Sequence, residues 1–156
     1  MRPLVPAFLL GAASGLFTAW VERTLIGADG TEFTLTVGQR WLVAGRALWF
    51  YAGKLVWPEP LMFIYPRWTL DASAVWQHIF PAAALAVLFV FWLARRRSRA
   101  PLAVALLFAG TLFPVLGFLN VYAFIFSFVA DHFQYLACLA LLAAAAGLVT
   151  PLLARV

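Results

Sequence analysis

The chain has 156 residues, of which 65% are hydrophobic and only 11% are charged, and its mean hydropathy is +0.96. These values exclude an ordinary soluble domain and predict a single, all-α integral membrane module. The net charge of +5 comes from cations spread along the chain, which excludes a basic surface for nucleic acid and favours membrane lipid headgroups as anionic partners.

Four apolar segments are predicted to form membrane-spanning helices. The first is uncharged over 19 residues, enough to cross a hydrocarbon core of about 30 Å at about 1.5 Å per residue. A cleaved signal peptide is the alternative for this segment, but Arg2 alone forms its basic end and no small-residue cleavage site closes it. Pro114 predicts a kink within the third helix. The four segments are residues 3–21, 78–94, 101–119 and 133–153.

The connections between these helices are predicted to be loops on the outer face of the membrane. Residues 22–39 turn abruptly polar, and the alternation in Thr-Glu-Phe-Thr-Leu-Thr-Val predicts extended chain after a turn at residues 28–30. Residues 58–77 form a second loop. Residues 120–132 contain an apolar run that is too short to cross the membrane again.

A segment rich in tryptophan and cations, residues 40–68, is neither cleanly apolar nor cleanly soluble. Such a segment belongs at the membrane interface, and residues 40–57 are predicted to form a surface-lying or re-entrant helix. Arg46 and Lys54 are eight residues apart, so at about 100° per residue they lie about 80° apart on one basic face. This face indicates either a phosphate-holding site or a surface helix that rests on anionic lipid, and spacing leaves both interpretations open.

The distribution of arginine predicts the topology. Four arginines at residues 95–99 follow the second spanning helix, and clusters of this kind stay on the cytoplasmic side. Parity then places Arg2 and Arg155 inside as well, giving six cations and no acid there, against six acids and five cations outside. Both termini are therefore predicted to be cytoplasmic, and the helix at residues 40–57 is predicted on the outer face.

Asp131 and His132, close to the outer end of the fourth helix, are the strongest polar candidates for a functional site. Ionisable groups near membrane depth are costly and indicate function. For Asp131 the alternative is a helix cap, because an aspartate at a helix start accepts bonds from free amides. His78 is interpreted as an interfacial histidine. The sequence contains no metal-ligand spacing, nucleophile motif or phosphate loop, so no catalytic residue, metal or cofactor is predicted.

Two stretches resemble the later membrane segments of a bacterial protein family. They are GRALWFYAGKLVWPEPLMFIYPRW (residues 45–68) and FPVLGFLNVYAFIFSFVADHFQYLA (residues 113–137). In this family a glycosyltransferase C type membrane domain is joined to tetratricopeptide repeats, and its eukaryotic relatives are protein O-mannosyltransferases. The resemblance implies a bacterial inner-membrane protein that transfers a sugar from a polyprenyl-phosphate donor to a protein hydroxyl on the outer face.

The resemblance also implies roles for individual residues. Lys54, Arg67 and His132 would contact the donor phosphate or shape its pocket, and the basic face adds Arg46 as a fourth lipid-binding or phosphate-binding residue. The side chains predicted to support them are Asp131, Tyr65 and Trp68.

The chain departs from the family in its chemistry. The family's catalytic acid lies in its first outer loop, upstream of the matching region, and Ile125 and Phe126 stand where the family has an arginine and a tyrosine. Two hypotheses follow. The chain is either a truncated or split membrane part of a polyprenyl-phosphate-sugar-dependent glycosyltransferase, or a non-catalytic accessory subunit that packs against other membrane subunits of a larger, for example energy-converting, complex.

Overall fold

The computed structural model describes residues 5–28 and 30–153, and the regular secondary structure of these residues is helical, with no β-strand. The prediction of an all-α fold is confirmed for this part of the chain. The predicted placements of Arg2, Asp29 and Arg155 lie outside the described residues. The five α-helices are α1 (Val5–Thr24), α2 (Val37–Val56), α3 (Ile79–Ala94), α4 (Ala100–Leu112) and α5 (Cys138–Leu153).

In the described part of the chain, one helical segment meets the length and hydropathy that crossing a membrane requires. Val75–Ala94, which joins a short 3-10 helix to α3, has 20 residues and is apolar enough to cross a membrane. Ala100–Val115 and Cys138–Thr150 are apolar but shorter. Apolar side chains are exposed on most helices, and on α1, for example, Leu10 is 70% and Leu16 is 73% exposed. Soluble monomers seldom expose contiguous apolar faces of this kind.

The start of α2 is fixed by a capping box. The amide of Gln39 donates to Thr36 Oγ1 at 3.3 Å, and the amide of Thr36 donates to Gln39 Oε1 at 3.0 Å. These bonds satisfy two amides at the helix terminus, so α2 begins at Val37, three residues before the predicted bound. The prediction of extended chain is wrong at Thr31–Phe33, which forms a short 3-10 helix, whereas Thr36 has extended backbone. The threonines serve this turn and the cap instead of a strand.

α2 and α3 approach each other closely at Gly45 and Pro81. A Cβ on Gly45 would stand 2.4 Å from the backbone nitrogen of Pro81, so a larger residue does not fit without movement of α3. One turn further along α2, the indole Nε1 of Trp49 donates to the carbonyl of Phe80 at 2.9 Å. These contacts hold the amino-terminal end of α3 against the middle of α2.

The predicted third and fourth spanning helices each contain a 3-10 segment. α4 ends at Leu112 and passes into the 3-10 helix Phe113–Val115, where Pro114 has no amide hydrogen to donate to a preceding turn. At the fourth segment, Asp131–Gln134 forms a 3-10 helix, and α5 begins at Cys138, five residues later than predicted. Both helices are therefore shorter than the sequence suggests, and the chain between them is longer.

The segment between α4 and α5 folds back over α2. Gly117 has φ +93°, a left-handed conformation that favours glycine, and its Cα lies close to Val43 on α2. The guanidinium of Arg40 donates to the Gly117 carbonyl at 2.7 Å and to Asn120 Oδ1 at 2.9 Å. Arg40, on the first turn of α2, thus holds this segment in place.

The buried core lies between α2, the end of α4 and the segment before α5. Tyr51 is fully buried there, and its hydroxyl accepts a hydrogen bond from the amide of Ala130 at 3.2 Å. Burial raises the pKa of the Tyr51 phenol above its usual range, so the hydroxyl stays protonated. Leu112 and Val129 are also fully buried. α2 is therefore the element on which the loops that carry the candidate residues are assembled.

Candidate functional site

Four aromatic rings lie one after another along α2 and form the base of the candidate site. Phe50 on α2 meets Tyr65 edge-on at a centroid distance of 4.9 Å and Trp68 at 6.1 Å. Trp68 in turn lies 6.3 Å from Phe128. This aromatic row (Tyr65, Phe50, Trp68, Phe128) arises because the prolines after Val56 end α2, and the chain that follows runs back along it.

Three of the predicted cations rest on rings of the aromatic row. The Cζ atom of Arg46 lies 4.4 Å from the centre of the Trp68 ring. The Cζ atom of Arg67 lies 5.1 Å from the last ring of the row. The ammonium of Lys54 lies 5.2 Å from the centre of the Tyr65 ring. Each such contact contributes about 0.5–2 kcal/mol. The aromatic row therefore holds the three cations in position.

Lys54, Tyr65 and Asp131 form a hydrogen-bonded network at one end of the row. Lys54 is only 9% exposed and donates to the carbonyl of Pro60. The Tyr65 hydroxyl lies 2.9 Å from Asp131 Oδ1, and the Met62 amide donates to Asp131 Oδ2 at 2.8 Å. Asp131 is the first residue of the 3-10 helix Asp131–Gln134, whose N-cap position is Ala130. Its carboxylate ties the loop after α2 to the segment before α5.

His132 lies next to this network on the surface. Its ring is stacked on Phe63 at a centroid distance of 5.0 Å and an interplanar angle of 21°, and it meets Phe133 at 4.5 Å. His78 lies elsewhere, where its Nε2 is 3.0 Å from the carbonyl oxygen of Ala72. The structure therefore brings His132, but not His78, to the end of the aromatic row.

Arg46 differs from the other cations because it borders an open pocket. The pocket has a volume of about 280 Å³ and is lined by Arg46, Trp49, Phe50, Trp68 and Phe80. Among residues 5–28 and 30–153, no side chain or carbonyl forms a hydrogen bond or ion pair with the Arg46 guanidinium. Partial burial lowers the pKa of Arg46, yet a guanidinium remains charged at neutral pH. Its donors are thus available to a ligand.

The sequence did not single out Trp49, Phe50 or Phe128, which complete the pocket and the aromatic row. For the first two a signal was present. They follow Arg46 at three and four residues, the spacing at which helical side chains are neighbours. Phe128 gave no such signal, because it lies in an irregular segment whose path depends on tertiary contacts.

Comparison of the chain with protein-family models, with curated proteins and with solved structures gave no match. The chemistry of the site therefore has to be argued from its geometry. The pocket offers one delocalised cation on an aromatic wall, and none of the described residues that line it carries a carboxylate. Such an arrangement suits an anion with an apolar neighbour.

Proposed function

We propose that this chain is the membrane part of a polyprenyl-phosphate-sugar-dependent glycosyltransferase, in which Arg46 binds the phosphate of the lipid donor. The observation that carries the proposal is the half-buried Arg46 guanidinium, stacked on Trp68 at the edge of the pocket without a bonding partner in the described chain. Guanidinium groups match phosphate oxygens in geometry and form charge-assisted hydrogen bonds with them.

The surroundings of Arg46 favour a lipid phosphate over a free anion. Trp49, Phe50, Trp68 and Phe80 provide most of the pocket wall, and only Arg46 among the lining residues is charged. A soluble phosphate would leave its hydration shell for a largely apolar pocket, whereas a lipid phosphate brings an apolar neighbour with it. Aromatic side chains beside a cation are also typical of the membrane interface.

The proposal includes four membrane-spanning helices with α2 lying at the outer face. Phe80 beside the Arg46 pocket and Arg95 in the arginine cluster stand at opposite ends of α3, separated by about 22 Å at about 1.5 Å per residue. If the cluster is cytoplasmic, the pocket faces the outer side, where lipid-linked sugars are used as donors in the family that the sequence resembles. Both termini would then be cytoplasmic in a bacterial inner membrane.

The catalytic base of the proposed enzyme is assigned to a separate chain or segment. Asp131 is engaged with Met62 and Tyr65, and the carboxylate of Glu22 accepts a hydrogen bond from the amide of Tyr122. Lys54 is likewise engaged, with the carbonyl of Pro60. In this proposal the chain binds and orients the donor, and no catalytic residue is assigned to it.

A second candidate function is that of a non-catalytic accessory subunit. It is favoured by α1, whose apolar side chains are exposed on all sides, with Leu10 at 70%, Leu16 at 73% and Phe17 at 65%. Helices from other membrane subunits would cover these side chains as well as lipid does. In this case the lipid bound at Arg46 would be structural.

Two measurements on protein purified in mild detergent distinguish the two proposed functions. Native mass spectrometry would measure binding of polyprenyl phosphate to wild type and to Arg46→Gln. We expect a loss of about tenfold to a hundredfold in Arg46→Gln, since hydrogen bonds to charged groups contribute about 1.5–3 kcal/mol. Arg95→Gln is the matched control, because Arg95 also stacks on a tryptophan, Trp92, at 3.9 Å.

The second measurement is sugar transfer by the purified complex with polyprenyl-phosphate hexose and an acceptor peptide. Transfer that is present in wild type and lost in Arg46→Gln supports the glycosyltransferase. A stable multi-subunit complex that binds the lipid but transfers no sugar supports the accessory subunit. Equal lipid binding by wild type and Arg46→Gln contradicts the assignment of Arg46 in either case.

A further inference from the structure

An apolar cavity of about 160 Å³ lies between α2, α3, α4 and α5. None of the described residues that line it is charged, and the indole Nε1 of Trp49 is already bonded to the carbonyl of Phe80. Small side chains leave the space open, namely Ala84 on α3 with Ala105 and Ala109 on α4. The cavity is partly open to its surroundings, and its apolar lining favours an apolar molecule over a charged or polar one. The chemistry of this cavity therefore selects hydrocarbon.

The cavity and the Arg46 pocket are neighbours that share the side chain of Trp49. Along α3, Phe80 lines the pocket, and Ala84, Leu88 and Phe91 line the cavity. Their spacings of four, four and three residues place all of them on one face of the helix. From Phe80 to Phe91 this face extends about 16 Å at about 1.5 Å per residue. This face of α3 is the apolar path that runs from the Arg46 pocket to the cavity.

We propose that this path binds one hydrocarbon chain of the lipid whose phosphate Arg46 holds, so that the site selects a lipid phosphate with a single chain. This inference rests on the proposed binding of lipid phosphate at Arg46. Charge complementarity fixes the direction of the ligand, because the cation lies at the pocket and the cavity walls are uncharged. A bilayer phospholipid would have to leave its second chain outside this path.

The test measures binding of two probes, polyprenyl phosphate with one chain and phosphatidic acid with two, by quenching of tryptophan fluorescence in detergent. Ala84→Leu adds three carbons to the cavity wall. Ala86→Leu is the matched control, because it makes the same change on the exposed side of the same helix. We expect wild type to bind polyprenyl phosphate at least tenfold more tightly than phosphatidic acid. Ala84→Leu should lose about tenfold for polyprenyl phosphate, and Ala86→Leu should not.

The outcomes distinguish binding of the hydrocarbon chain in the cavity from binding of the phosphate at Arg46. Unchanged binding of polyprenyl phosphate by Ala84→Leu, together with weakened binding by Arg46→Gln, overturns the proposed role of the cavity. It leaves the proposed lipid-phosphate site at Arg46 unaffected. Equal affinity for the two probes overturns the selection of a single chain. Unchanged binding by Arg46→Gln contradicts the proposed function itself.

A second measurement uses wild-type protein, so it does not depend on the folding of a variant. A polyprenyl phosphate with a photoreactive group within about 16 Å of its phosphate, the length of the path, is bound and irradiated, and the labelled peptides are identified. Labelling within residues 84–91 and 105–109, abolished by excess unlabelled polyprenyl phosphate, supports the inference. Labelling confined to α1 or to other exposed helix faces overturns it.

Discussion

The guanidinium carbon of Arg46 lies 4.4 Å from the centre of the Trp68 ring, although 22 positions and the end of α2 separate the two residues in sequence. The contact depends on the return of the chain along α2, which first brings Tyr65 to Phe50 and then Trp68 to Arg46. A cation over the face of a tryptophan is attracted by the negative face of the ring. Trp68 therefore holds the cation at the edge of the pocket.

Replacement of Trp68 by leucine should weaken binding of polyprenyl phosphate without removing any charge. The loss of a cation–π contact and of the flat wall should cost about 0.5–2 kcal/mol, or about twofold to thirtyfold in affinity. Native mass spectrometry with polyprenyl phosphate measures the change. Trp92→Leu removes the ring beneath Arg95 and serves as the control, and an equal loss there would show that the effect is not specific to the pocket.

Removal of the Tyr65 hydroxyl should destabilise the protein. In Tyr65→Phe the carboxylate of Asp131 loses one of its two hydrogen-bond donors, while the amide of Met62 remains. Loss of a bond to a charged acceptor in a partly buried site should cost about 1.5–3 kcal/mol. Thermal unfolding in detergent measures the loss. Tyr135→Phe is the control, because Tyr135 is 71% exposed, and an equal loss in both variants would contradict a special role for the network.

The sequence predicts those features of the fold that depend on residues close together in the chain. Pro58 and Pro60 predict that the helix stops near residue 57, because proline cannot continue the helical bonding, and α2 ends at Val56. The Thr-x-x-Gln cap was also readable, yet the alternation of threonine before it suggested extended chain. The bend after α4 depends on Gly117 against Val43, a contact between distant parts of the chain that no local pattern encodes.

The sequence predicts which cations lie near one another better than how they are arranged. Arg46, Lys54 and Arg67 do lie along one aromatic row, but their order follows from the return of the loop after α2. Helical spacing placed Arg46 and Lys54 on one face and could not distinguish them. Tertiary packing separates their roles, because Lys54 is buried against Pro60 and Arg46 faces a pocket.

Substitution of Gly45 by alanine should destabilise the contact between α2 and α3. The added methyl would meet the backbone of Pro81 at 2.4 Å, and because backbone cannot rotate away, α3 must shift. Overpacking of this kind costs about 1–3 kcal/mol. Gly53→Ala on the same helix is the matched control, because nothing lies within 4 Å of its added methyl. That variant should gain about 0.5–1 kcal/mol. Thermal unfolding compares the two, and equal stability would contradict the close approach.

The two ends of α3 should be accessible from opposite sides of the membrane. On a Cys138→Ser background, Ser73→Cys lies in the loop before α3, and Ser98→Cys lies within the arginine cluster after it. Because the cluster should remain cytoplasmic, a membrane-impermeant maleimide added to intact bacterial spheroplasts should label Ser73→Cys alone. Detergent should then expose Ser98→Cys to the same reagent, which controls for its reactivity. Labelling of both cysteines before detergent would place both ends on one side, and labelling of Ser98→Cys alone would reverse the proposed topology and put the Arg46 pocket in the cytoplasm.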